Sequence, residues 1–301
     1  MAFIEPNGTY KMNGVLVREK IIPDGTCWND EGKAKKAGFK KKALYKAQKK
    51  LSANTGMPQW ITIHNTDDIA SVNDDAMQYV AATYAENMGA SRVHFYVDDL
   101  GAWQLLKAGT GLTAADPEGS AEVSWHSGDG NDLEGGNMTS ISIEVIMSGN
   151  DERDALAYEN SIKIAAWLLQ KHQLPIDRVV SHTYWVNRAD GVFFGDTAMQ
   201  STNPIYNKKW CPKYIFNSDS FSIALENWRA YRSLIEKEFY ILEDERIKSK
   251  LDNFPDEWAK DAVEWAKRNG IIVGDDSGNL HLRRNINRQE LLTFLYRALN
   301  K

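Results

Sequence analysis

Trp60-Ile61-Thr62-Ile63-His64 and Arg178-Val179-Val180-Ser181-His182 are built alike: a short apolar, β-branched run that ends on a histidine. Such runs are too short for a helix, and β-branched side chains fit a pleated, buried surface, so both read as strands. Each histidine then stands at a strand end. Ser140-Ile141-Ser142-Ile143-Glu144-Val145-Ile146-Met147 reads as a third strand. Its alternation puts Ser140, Ser142, Glu144 and Ile146 on one face, and Ile141, Ile143, Val145 and Met147 on the other.

Working outward, strand and helix patterns alternate. Asp74–Asn87 is amphipathic, with Asn73 or Asp74 suited to cap it. Arg92–Asp98 reads as a strand and Gly101–Leu106 as its hairpin partner. Asp151–His172 reads as a long helix whose Asp151, Glu152 and Asp154 suit the positive end of the helix dipole. The fold class expected is α/β, a mixed central sheet flanked by helices. Phe216–Glu245 reads as one long helical stretch, its first part packed on the preceding domain and its second part a linker. The remainder, Asp252–Lys301, is a small, mainly helical domain. Pro255-Asp256-Glu257-Trp258-Ala259 opens one helix, Asn269-Gly270 stops it, Asp275–Gly278 turns, and Asn287–Leu299 is a second helix. The expected division is a lead-in at 1–58 packed on a catalytic domain at 59–218, a helical linker at 219–250, and a C-terminal unit at 251–301. Residues 1–58 read as irregular. Their lysines, from Lys33 to Lys50, read as a solvated helix face rather than a patch for an anionic polymer, because too few apolar residues accompany them.

At 301 residues the chain has room for one sizeable domain and a small second one. A net charge of -5 gives no electrostatic case for nucleic acid or a membrane surface. No apolar run approaches the roughly 18–20 residues of a membrane span. The start, Met1-Ala2-Phe3-Ile4-Glu5-Pro6, lacks the basic and apolar regions of a secretory signal, so the chain is expected to begin in a cytoplasm. Of the two cysteines, Cys211 is the candidate ligand and Cys27 the expected free thiol. A disulfide between them is the other use, one that a chain this long does not need.

His64, His182 and Cys211 together make a two-imidazole, one-thiolate set for Zn2+ with a position left open, the feature that separates a catalytic zinc from a structural one. The lysines beside Cys211 favour its thiolate. Glu144 interrupts an apolar strand. It is either part of a solvent-facing strand side or a general base beside a metal-bound water. Lys209, two residues before Cys211, is either an oxyanion donor or a surface lysine. Ser124-Trp125-His126-Ser127-Gly128-Asp129-Gly130-Asn131 is a glycine-rich turn, suited to a cleft for a polar, sugar-bearing ligand or simply a turn.

These pieces resemble the zinc-dependent N-acetylmuramoyl-L-alanine amidases shared by phage endolysins, T7-type lysozyme and peptidoglycan recognition proteins. The resemblance rests on Ile61–Thr66, Val93–Asp99, Trp125–Gly130, Ser140–Glu144, Ser181-His182 and Lys209–Pro212, in family order over roughly 58–215. It implies a peptidoglycan hydrolase that cuts between N-acetylmuramic acid and L-alanine, with His64, His182 and Cys211 on zinc, Glu144 as the catalytic carboxylate and Lys209 as the family's basic residue. It further implies a substrate groove lined by His94 and His126, with Trp125, Asp129 and Asn65 as further substrate-binding candidates. Two departures stand out. The 28 residues from Thr183 to Trp210 replace a short loop and bring Tyr184, Trp185, Phe193, Phe194 and Tyr206. Val93 precedes His94 where some relatives carry a tyrosine, which places the chain in the carboxylate-type subgroup. The rival readings are a wall-binding protein without catalysis and a zinc endopeptidase acting within the stem peptide.

Residues 254–299 resemble one S-layer homology unit, through Phe254-Pro255, Trp258-Ala259, Ala262–Ala266, Asn269–Ile272, Gly274-Asp275, Asn285–Glu290 and Phe294–Leu299. Such units usually come in threes, so this one implies either attachment to a secondary wall polymer or homo-oligomerisation. The partners expected are peptidoglycan and that polymer, with no nucleic acid and no membrane. An endolysin of this kind acts from the host cytoplasm after holin-type release.

Overall fold

The computed structural model describes residues 4–22, 50–67, 69, 75–84, 92–129, 132–189, 210–218, 220–275 and 278–300. They form two compact units, Met1–Phe239 and Tyr240–Lys301.

The first unit is a seven-stranded mixed sheet in the order β1-β2-β5-β4-β6-β3-β7. Its strands are β1 Gly8–Met12, β2 Val15–Glu19, β3 Trp60–Asn65, β4 Phe95–Asp98, β5 Gly101–Gln104, β6 Ser140–Val145 and β7 Val179–Ser181. The strands β4, β6, β3 and β7 run parallel to one another, and their connections include helices α1 (Ala76–Tyr84) and α2 (Asp151–Lys171). The expected α/β class holds, and β6 is central, between β4 and β3.

The lead-in is not irregular. Gly8–Glu19 is an antiparallel hairpin that extends the sheet, β2 pairing in parallel with β5. Its turn is Asn13-Gly14, both at positive φ (49° and 79°). Asn-Gly between alternating runs is the strongest short-range hairpin signal, because that two-residue turn matches the twist of the strands. The lysines from Lys33 to Lys49, Cys27 and the expected cap at Asn73 or Asp74 lie outside the described residues. Among the described residues, the first helical amide of α1, that of Ala76, donates to Asp98 Oδ2 at 2.9 Å.

The apolar face of β6, Ile141, Ile143 and Val145, is fully buried, and α2 packs beside it and β4 through a stripe that includes Ile164, Ala165 and Leu168. Asn150 caps α2, its side chain accepting from the amides of Glu152 and Arg153. The polar face of β6 is buried too. Ser140 Oγ meets Thr62 Oγ1 at 2.5 Å, and Ser142 Oγ meets His94 Nδ1 at 3.0 Å and Ser124 Oγ at 3.2 Å. The serines therefore serve a closed hydrogen-bonded layer rather than a wet strand side.

After β7 come α3 (His182–Ala189), α4 (Lys213–Phe216) and α5 (Phe221–Asn253). The first turns of α5 bury Ala224, Trp228, Tyr231 and Ile235. Tyr231 Oη lies 2.8 Å from Ser161 Oγ of α2.

The second unit holds the end of α5, a tight turn at Glu257–Ala259, α6 (Lys260–Arg268) and α7 (Arg288–Leu299). Gly270, at φ 61°, follows α6, and the Ile271 amide closes back on Ala266 O at 2.9 Å. Asn287 and Glu290 form a reciprocal capping box at the start of α7. Among the described residues, no helix is long and apolar enough to cross a membrane.

Candidate active site

The site gathers at the carboxyl ends of three adjacent parallel strands, where α/β sheets present ligand-binding groups. His64 is the fifth residue of β3, Glu144 the fifth of β6, and His182 follows β7. Register does the positioning. His64 pairs with Glu144, and Ile63 pairs with Ser181, so His182 stands one step beyond that pair. The His64 and His182 rings lie 4.6 Å apart between centroids. Cys211 joins them from beyond the long insertion, its Sγ 3.8 Å from His64 Nδ1.

One ligand atom each of His64, His182 and Cys211 falls within 4.8 Å of the others. A tetrahedral zinc with bonds of about 2.0–2.3 Å would space its ligand atoms about 3.5 Å apart. The residues present thus fit zinc in type, number and spacing, and three ligands leave the fourth direction to water or substrate.

Cys211 is pinned from two directions. Its amide donates to Thr183 Oγ1, and its carbonyl accepts from both the amide and the hydroxyl of Thr183, all at 3.0 Å. Just beyond it, Asn65 Oδ1 accepts from the amides of Tyr214 and Ile215 at 3.1 and 3.2 Å. Asn65, buried and next to His64, is therefore a clamp on the segment that carries Cys211. That is a correction to its expected place on the substrate surface.

His94 is corrected likewise. It is fully buried, taking the Ser142 amide on Nδ1 at 3.0 Å and meeting Glu122 O through Nε2 at 2.9 Å, so it cannot line a groove. Burial pushes its imidazole down to about 4. His126 is also buried. Its Nδ1 lies 3.0 Å from His64 Nε2, and its Nε2 lies 3.2 Å from Gly136 O. Burial first, and the nearby His94 and His182 second, hold it well below the usual imidazole range. Asp129 is half-buried and accepts from Ser127 Oγ and from the amides of Gly136 and Asn137, which makes it a loop organiser. Trp125, half-buried, keeps part of its surface open. His94 and His126 lie deeper than the sequence suggested, because a Gly-rich, polar segment reads as exposed.

Glu144 is half-buried at the rim of the strand ends, and burial pushes its carboxyl up to about 8. A carboxyl poised there takes and gives protons near neutral pH. Lys209 lies outside the described residues, as does the part of the long insertion from 190 to 209. Its first residues belong to α3. Tyr184 and Trp185 pack with Trp60 and Val180, and Trp185 Nε1 donates to Thr62 Oγ1 at 2.7 Å. These two aromatics are core residues rather than a wall of the groove.

The chain matches the profile of the S-layer homology domain over residues 251–292. No curated protein matches it at a significant level. Among solved structures, the catalytic domain of XlyA is similar at 23% identity and a TM-score of 0.43, covering 73% of this chain and 98% of that one. The PlyG catalytic domain in solution gives 21%, 0.44, 74% and 94% in the same terms. Staphylococcus aureus hydrolase AmiA in complex with its ligand gives 20%, 0.41, 65% and 80%. The profile of N-acetylmuramoyl-L-alanine amidase matches residues 54–214, just over half of the chain. That stretch begins ahead of β3 and ends beyond Cys211, taking in every strand end that meets at the site, and the chain accordingly belongs to the N-acetylmuramoyl-L-alanine amidase family.

Proposed function

We propose that this peptidoglycan amidase uses zinc on His64, His182 and Cys211 to cut the amide between the lactyl group of N-acetylmuramic acid and L-alanine, as a wall-lysing enzyme of the endolysin type. The observation that carries this reading is the convergence of those three ligand atoms within 4.8 Å, beside the Glu144 carboxyl on the neighbouring strand.

Zinc, when bound, supplies a Lewis acid that brings the pKa of its water to near 7 and polarises the lactyl carbonyl. Glu144 accepts the proton of the attacking water and returns it to the leaving amine, so both proton transfers pass through one carboxylate. Lys209 is the proposed donor to the carbonyl oxygen as negative charge develops there, on the strength of its place in the family's Lys209-Trp210-Cys211-Pro212 pattern. Thr183 and Asn65 hold the Cys211 segment in place and take no part in proton transfer.

The S-layer homology unit is proposed to attach the enzyme to a secondary wall polymer. Full-length protein should bind walls that carry such a polymer and lose that binding when the polymer is stripped away. A shift to a larger species in sedimentation would support self-association instead.

The test of the catalytic reading is digestion of purified peptidoglycan with mass analysis of the fragments and of metal content. New L-alanine amino termini, one zinc per chain and arrest by a chelator are expected. New termini within the stem peptide would make the protein an endopeptidase. Retained wall binding with no cleavage would make it a recognition protein.

A further inference from the structure

We infer that His126 is a positioning residue for the metal centre, an acceptor that fixes the tautomer and ring plane of His64 from behind. The inference rests on the reading of His64 as a zinc ligand, and the experiment separates the two.

The two nitrogens of His64 face different neighbours. Nδ1 faces Cys211 Sγ at 3.8 Å, on the side of the ligand cluster. Nε2 lies 3.0 Å from His126 Nδ1, and the two rings meet edge to face at 83°. A ring that ligates through Nδ1 carries its hydrogen on Nε2. His64 then donates to His126 Nδ1. His126 in turn carries its hydrogen on Nε2 and donates to Gly136 O at 3.2 Å. One assignment of tautomers satisfies every contact in the row, from ligand to backbone carbonyl. The reverse assignment puts the His64 hydrogen on Nδ1 and removes the lone pair that a metal needs.

The end of the row is rigid. The amides of His126 and Ser127 donate to Asn137 Oδ1 at 2.7 and 2.9 Å, which fixes the His126 backbone. The Gly136 amide donates to Asp129 Oδ2. A Cβ on Gly136 would sit 2.6 Å from the Trp185 ring, so only glycine lets this backbone lie flat against the indole. Trp185 is itself tied to Thr62 of β3, two residues before His64. The acceptor of the His126 proton therefore packs on Trp185, which is hydrogen-bonded to the strand that carries His64. Partners that orient a ligating histidine are worth roughly 10–100-fold in metal affinity.

The test uses full-length protein and zinc competition against a chromophoric chelator. His126→Leu removes both contacts. His126→Asn puts an amide oxygen near the place of Nδ1 and keeps the acceptor for His64. His126→Gln reaches toward Gly136 and leaves His64 without that acceptor. We expect about 10–100-fold weaker zinc binding in the Leu and Gln variants and substantial recovery in Asn. In zinc-loaded wild type, imidazole nitrogen NMR should show His64 protonated on Nε2 and His126 on Nε2. Equal affinity in all three variants, an equal loss in all three, or a His64 protonated on Nδ1 would overturn the inference. If the Leu variant fails to fold, Gly136→Ala carries the test, because it shifts the carbonyl that receives the His126 proton. Wild-type affinity in a folded Gly136→Ala protein counts against the row, and a loss supports it. Wild type that binds no zinc would instead sink the metal reading itself.

Discussion

His64 and Glu144 are register partners on the adjacent parallel strands β3 and β6, so an imidazole and a carboxyl leave the sheet at the same height and on the same face. Their spacing is set by two backbones hydrogen-bonded to each other, the most rigid support a sheet can give. Glu144→Gln keeps the shape and removes the base. Turnover on purified peptidoglycan should fall by about 10²–10⁴ while zinc content stays at the wild-type level. Zinc loss together with activity would show that Glu144 belongs to the ligand set.

The same substitution should affect the metal-free protein in the opposite sense. A carboxyl with a folded pKa of about 8 binds its proton more tightly when folded than when unfolded, near 4.5. Its contribution is present in full below pH 4.5 and is lost as pH rises through 8. Chelator-treated Glu144→Gln should therefore be more stable than wild type at pH 9 and nearly equal to it at pH 4.5. Urea titrations at the two pH values measure this. A gap that does not grow with pH would refute it.

Cys211→Ser removes the thiolate and leaves a hydroxyl of much lower affinity for zinc. Bound zinc and wall clearing should disappear together in a protein that keeps its circular dichroism. Full zinc and full activity in that variant would mean that the third ligand lies elsewhere.

Asn65→Leu deletes the acceptor for the Tyr214 and Ile215 amides in a buried place. Orphaned buried amides cost about 1–3 kcal/mol, so the thermal midpoint should drop. The Cys211 segment should loosen as well, with weaker zinc binding. Asn65→Asp keeps the oxygen that accepts from both amides, gives up only the Nδ2 contact with Met147 Sδ, and should recover much of the zinc affinity. If the Leu variant loses stability but binds zinc normally, Asn65 supports the fold without locating the ligand.

His94 and His172 give the protein an acid-side weakness. Burial is the main cause for both, and each is lowered from 6.5 to about 4, with Lys171 adding to the effect on His172. The unfolded chain binds these protons first. Stability should be full above pH 6.5 and should fall as pH drops toward 4, by up to about 3 kcal/mol for each histidine. Protonating His94 also sets a new N–H against the Ser142 amide that now donates to it. Denaturation curves at pH 7, 5.5 and 4.5 test the slope, and a flat profile would be the contrary result.

The sheet was legible where local chemistry was dense. Ile61-Thr62-Ile63 and Val179-Val180 are β-branched runs with no competing helical period, and both became adjacent parallel strands. The three ligand candidates were legible because each sits at the close of such a run or in a lysine-flanked turn. The hairpin at Gly8–Glu19 was missed although Asn13-Gly14 marks it, since lysine-rich sequence nearby drew the whole lead-in toward an irregular reading. Burial was the least legible property. Ser140, Ser142, His94 and His126 are polar, and nothing in their spacing says that another segment will close over them. Their depth comes from partners far along the chain, such as Glu122 for His94 and Gly136 for His126.

The contacts between Thr183 and Cys211 close a loop of 28 residues in sequence separation with hydrogen bonds instead of a covalent bridge. Thr183, in the first turn of α3 right after His182, is thereby tied to Cys211 at the far end of the long insertion. His182 and Cys211, far apart in sequence, are thus held side by side by one threonine, whose loss would free one candidate ligand from the other.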